Sequence, residues 1–150
     1  MTDFLAMTPY EFDQSPDGWR SLRPSARKWS ERENRLAIVA IEKYLGVHPN
    51  QTSPDQGIWF HLGQLYAGVG ENDKALPWFE KSKKVHERDP VSLLYTDATL
   101  AFLRSDLSLL KKLAIRYDLE AKDEWRKNLP IIERLVRTLE HGSTNYATAY

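Results

Sequence analysis

The stretch Ile58–Lys84, IWFHLGQLYAGVGENDKALPWFEKSKK, decides how the rest of the chain is read. Ile58, Leu62, Leu65, Tyr66 and Val69 recur at helical spacing and share one face. Gly68-Val69-Gly70 then breaks the pattern, and Asn72 or Asp73 caps a second helix whose stripe is Ala75, Trp78, Phe79, Ser82 and Val85. Two amphipathic helices joined by a glycine turn form a hairpin. Such a hairpin cannot cover both apolar faces by itself, so it needs neighbours.

Neighbours are present on both sides. Upstream, Ser25 reads as the cap of a first helix running to about Leu45, with Trp29, Leu36, Ala37, Ala40, Ile41 and Tyr44 in register. Gly46 and Pro49 stop it, the linker VHPNQTSP follows, and Asp55 opens the helix that contains Ile58. Downstream, Asp89-Pro90 is a cap followed by a proline at the first helical position. The helix it starts ends near Leu103 and is apolar on two faces, as central helices are. Ser105-Asp106 turns the chain into a fifth helix containing Leu107, Leu110, Leu113, Ala114 and Tyr117. Asn128 and Pro130 begin a sixth, with Ile132, Leu135, Val136 and Leu139 aligned before Gly142. No strand alternation stands out. The expected fold is all-α, about six helices stacked as antiparallel hairpins.

Residues 1–24 differ. Pro9, Pro16, Gly18 and Pro24 exclude a long helix, while Phe4, Tyr10, Phe12, Trp19 and Leu22 are too apolar for a free tail. An extended arm packed on the domain fits both facts. Pro77 is expected early in its helix, near the first turn, where a missing N–H costs little. The organisation predicted is an arm over 1–24, a helical domain over 25–142 and a tail over 143–150.

The spacing of Trp59, Leu62, Gly63, Tyr66, Ala75 and Phe79 resembles one tetratricopeptide repeat, W-x2-L-G-x2-Y followed by a small residue and an aromatic one. A weaker second copy places Tyr95 under Trp59, Ala98 under Leu62, Thr99 under Gly63 and Phe102 under Tyr66. Its offset is 36 residues, against the usual ~34. The order of segments is also similar to a group of small bacterial proteins. They share a DGWRSL-like entry, FHLGQ-like and DATLAFL-like helices, a W-x-x-NLPI segment and a tail ending in Tyr. That likeness implies a bacterial source and brings no activity with it. The repeat resemblance implies a groove along the inner face of the first helix of each hairpin. Phe60, Gln64 and Ala67 match groove positions, with Thr96, Leu100 and Leu103 in the weak copy. Phe60 and Gln64 do not supply the Lys and Asn that the chaperone-binding members of that family use to clamp a terminal carboxylate.

Composition limits the functions available. With 150 residues, 41% hydrophobic and 28% charged, the chain is an ordinary globular domain. A formal net charge of zero argues against nucleic acid, whose phosphates call for a basic excess. The absence of cysteine removes disulfides, thiolate metal sites and thiol nucleophiles. No export signal and no run of about 18 apolar residues occurs, so the expected setting is cytoplasmic, without a membrane. Charge is uneven: Met1–Trp19 holds Asp3, Glu11, Asp13 and Asp17 with no base, and Arg20–Arg35 is rich in Arg. Either the acidic arm lies on the basic helix start, or the basic stretch docks an acidic partner.

Chemistry-bearing patterns are sparse. His48, His61, His86 and His141 show no i, i+4 pairing and no local acidic neighbour at ligand spacing, so no metal site and no cofactor is expected. Gly68-x-Gly70 follows a helix and lacks the rest of a phosphate loop. No nucleophile elbow occurs. His61 beside Gln64 reads either as a hydrogen-bonded surface histidine or as part of the groove. Trp19 and Trp125, next to Arg20 and Arg126, suit either interface anchors or packing of the arm and late loop.

The expected function is therefore non-enzymatic. One specific protein partner (a toxin, a secreted effector or a complex subunit) would bind at Phe60, His61, Gln64, Leu100 and Arg104, with Trp19 and Arg20. The role would be that of an immunity protein, a chaperone or an adaptor, in a monomer or weak homodimer. The alternatives are a small helical enzyme or ligand binder with a pocket between helices, and a structural homo-oligomer subunit.

Overall fold

In a computed structural model of the chain, residues 3–24, 30–49, 57–85 and 89–150 are described. They form α1 (Pro9–Gln14), α2 (Glu31–Val47), α3 (Ile58–Gly68), α4 (Asn72–Val85), α5 (Pro90–Leu103), α6 (Leu107–Glu120), α7 (Leu129–Glu140) and α8 (Tyr146–Ala149). Short 3-10 helices lie at Phe4–Ala6, Trp19–Leu22 and Asp123–Asn128, and no strand occurs among the described residues. The fold is all-helical. Its helix count exceeds the six expected because the arm and the tail each contribute a short helix.

The long helices stack in chain order. α3 pairs with α4, α5 with α6, α2 lies on α3, and α7 packs on both α5 and α6. The α3–α4 hairpin closes where Gly63 meets Phe79: a Cβ on Gly63 would sit 3.0 Å from three carbons of that ring. Gly63→Leu is accordingly expected to lower unfolding free energy by roughly 1–3 kcal/mol through overpacking. An unchanged denaturation midpoint would show that α3 and α4 do not approach there. Gly70 then reverses the chain at φ 80, a left-handed conformation that suits glycine.

The caps follow the sequence in most places. Asp89 accepts from the backbone N–H of Val91 and Ser92, and Asp106 accepts from that of Leu109. Ser30 caps α2 within the described residues, and the expected cap Ser25 and helix start Asp55 lie outside them. Pro77 sits slightly deeper in its helix than expected. It lies inside α4, beyond the first turn, and so removes one interior hydrogen bond.

The arm is not extended but folded into short helical turns. Phe12 is fully buried and stacks on Tyr44 of α2 at 4.0 Å between ring centres, with Phe4 edge-on at 5.9 Å. The Tyr44 hydroxyl donates to the Met7 carbonyl at 2.9 Å. Tyr10, expected to pack with them, is 68% exposed. The tail is not free either. Tyr146 and Ala149 are fully buried, with α8 lying against α3 and α7.

Candidate functional site: a cleft between α3 and α5

α3 and α5 each turn an aromatic side chain toward the same space. Phe60 and Tyr95 lie 5.4 Å apart between ring centres, and Phe79 backs Phe60 at 5.1 Å. Above this floor opens a cleft of about 360 Å³. Gly57 and His61 of the α3 end, Ser92 and Thr96 of α5, and Gln14 of α1 border it. Trp125, Lys127 and Asn128 from the 3-10 turn close the far rim.

That rim is held from beneath. The Tyr117 hydroxyl donates to the Trp125 carbonyl at 2.7 Å. Arg126 donates to the Asp118 carbonyl at 2.8 Å and to its carboxylate at 2.6 Å, which turns the guanidinium toward α6. Asp123, at φ 35, makes the corner that starts the turn. Lys127 has no salt-bridge partner among the described residues.

The near wall is a polar clasp built by the arm. Asp13, 1% exposed, accepts on one carboxylate oxygen from the Trp19 indole N–H at 3.0 Å and from His61 Nδ1 at 2.8 Å. Its other oxygen accepts from the Gln14 amide. Arg20 donates to His61 Nε2 at 3.3 Å and lies over the Trp19 ring at 4.6 Å. Gly18 makes the tight passage from α1 to Trp19 possible, since a Cβ there would fall 2.1 Å from the Phe12 carbonyl oxygen. With Asp13 at Nδ1 and Arg20 at Nε2, both His61 ring nitrogens are occupied.

Burial pushes the Asp13 carboxyl up. His61 (by charge and hydrogen bond), the Trp19 indole and Arg20 outweigh that, and the group is held below the ordinary carboxylate value. A depressed folded-state pKa gives stability that is present above the unfolded carboxylate's value and is lost as pH falls through the folded one. Acidification below about pH 4 is expected to destabilise the wild type more steeply than Asp13→Asn. Parallel acid limbs in urea titrations across that range would contradict the clasp.

The hydroxyls around the cleft are also engaged. Ser92 Oγ donates to the Asp89 carboxylate at 2.7 Å, and Thr96 Oγ1 donates to the Ser92 carbonyl at 3.0 Å. Burial raises the Tyr95 phenol well above its ordinary value, with the neighbouring tyrosines adding to the shift, so it stays neutral. Each of the cleft's histidine and hydroxyl side chains is thus already tied to its own surroundings. No cluster of His, Asp or Glu able to hold a metal ion occurs among the described residues.

Of the residues picked from sequence, the structure brings Phe60, His61, Trp19 and Arg20 together and separates the others. Trp19 is buried and serves the clasp, not the surface. Gln64, 8% exposed, donates to the Tyr146 hydroxyl at 3.0 Å, because α8 covers this part of the inner face. Leu100 is 2% exposed and belongs to the core. Arg104, at the far end of α5, pairs with Glu80 of α4 at 2.6 Å and stands away from the cleft. The residues missed are Asp13, Gln14, Ser92, Tyr95, Lys127 and Asn128. Asp13 is the acidic partner that local spacing around His61 could not reveal, since 48 positions separate them. The acidic arm does not meet the basic start of α2 through Arg35, which pairs with Glu31 and Glu71.

Compared with protein-family models, with curated proteins and with solved structures, the chain has no match. No helix among the described residues is long and apolar enough to cross a membrane.

Proposed function

We propose that this chain is a protein-binding module without turnover, which takes a segment of one specific protein into the α3–α5 cleft. The observation that carries the proposal is the state of the cleft's polar groups. His61 is bonded at both ring nitrogens and Ser92 and Thr96 are turned to their own helix. What remains for an incomer is an aromatic floor, Phe60 and Tyr95, and a rim of Trp125 and Lys127. Aromatic anchors inside a polar border suit a protein segment. The partner would be a toxin, a secreted effector or a complex subunit, with the chain as immunity protein, chaperone or adaptor in the cytoplasm. The zero net charge supports a partner other than nucleic acid.

A second reading has one observation in its favour. The volume of about 360 Å³ falls inside the range of small-molecule sites. Affinity capture from the native host, with wild type beside Phe60→Ala/Lys127→Glu, separates the two. Wild type is expected to recover one protein and the variant roughly tenfold less of it, as loss of an anchor implies. Equal recovery would remove the cleft assignment. A copurifying metabolite with no protein would favour the small-molecule reading.

A further inference from the structure

We infer a second interaction surface, independent of the cleft, on the outward face of α2, and assign its partner as an acidic amphipathic helix. α2 lies at one end of the stack and buries Asn34, Ala37, Ile38, Ile41 and Tyr44. Helical stacks that end in solvent present a polar outer face there. Here Leu36 is 51% exposed and Val39 63% exposed, beside a shallow open hollow of about 620 Å³.

The charges around these two residues select the occupant. Arg32, Leu36, Val39, Lys43 and Val47 fall within about 80° of the helix circumference at 3.6 residues per turn. The stripe reads basic, apolar, apolar, basic, apolar. Neither Arg32 nor Lys43 has a salt-bridge partner among the described residues. The nearby acids are engaged elsewhere: Glu31 and Glu71 hold Arg35 and Lys74, and Glu42 accepts from the Tyr66 hydroxyl. Two apolar residues between two uncompensated cations match a partner helix with apolar residues at i and i+3 or i+4 and carboxylates one turn outside them.

A second copy of this chain fits poorly. Antiparallel packing of two α2 helices about Leu36 and Val39 sets Arg32 of one copy over Lys43 of the other, and like charges repel. The exposed Ile115 and Leu119 of α6 lack such a signature, since Arg116 and Glu120, and Arg126 and Asp118, already neutralise one another beside them.

Two synthetic helical peptides of about four turns, with the same Leu and Val positions and either Glu or Lys flanking them, test the assignment against the full chain by fluorescence anisotropy. The Glu peptide is expected to bind at least about tenfold more tightly than the Lys peptide, and added salt should weaken it. Leu36→Glu/Val39→Glu and Arg32→Glu/Lys43→Glu should each abolish that binding while leaving the circular dichroism unchanged, because all four side chains are exposed. Equal binding of the two peptides, or none by the Glu peptide, overturns the proposal. So does a wild-type dimer in sedimentation that Leu36→Glu/Val39→Glu dissociates, which would make the occupant a second copy.

Discussion

Asp13→Ala is expected to lower unfolding free energy by roughly 3–5 kcal/mol, as removal of one member of a buried polar pair does. The substitution strips the Trp19 indole and His61 Nδ1 of their shared acceptor and leaves both donors in a nearly closed space. Nothing else among the described residues accepts from the Trp19 indole. The arm then keeps Arg20 and the Trp19 ring against His61 of α3, and Phe12 and the Met7 carbonyl against Tyr44 of α2. Asp13→Asn should cost less, since a carbonyl oxygen still accepts one bond. A chemical denaturation series over wild type, Asn and Ala measures this, and a wild-type midpoint for Ala would mean the clasp does not form.

Tyr146→Ala is expected to cost a similar amount, roughly 3–5 kcal/mol, for a fully buried aromatic side chain. Tyr146 stacks on Tyr150 at 5.2 Å, faces Phe102 at 6.3 Å and accepts from Gln64. Tyr146→Phe isolates the hydroxyl, and losing the Gln64 partner should cost about 1–3 kcal/mol. If Ala melts as wild type does, residues 143–150 are dispensable and Gln64 faces an open groove, as the repeat resemblance first implied.

The parts of the fold legible in sequence are those fixed by local periodicity and caps. The Ile58–Lys84 spacing marked the α3–α4 hairpin, and Asp89-Pro90 and Asp106 started α5 and α6 where they stand. Position along a helix was less secure: Pro77 fell inside α4 because α4 starts before the turn that a proline prefers. The arm read as extended because its prolines break long helices, yet a six-residue helix fits between Thr8 and Ser15.

The cleft was legible only in part, and the reason is chain separation. Phe60 and His61 sit on a periodic helix and could be named. Asp13 comes from the short α1 of the arm, and Lys127 and Asn128 from a 3-10 helix, and their approach to α3 and α5 depends on tertiary packing. Gln64 and Leu100 sat at groove positions by register, but α8 and the core cover them. Trp125 was separable from Arg126 only once the Arg126–Asp118 contacts fixed which side chain faces the cleft.

Site-specific photocrosslinking shows whether a protein partner occupies the cleft. A benzophenone amino acid replaces Lys127 on the cleft rim in one protein and Leu119, exposed on α6, in another. Each is expressed in the native host and irradiated. One covalent protein adduct is expected from position 127, lost when Phe60→Ala is added, and none from position 119. Equal adducts from the two positions, or an adduct at 127 indifferent to Phe60, would contradict that occupancy.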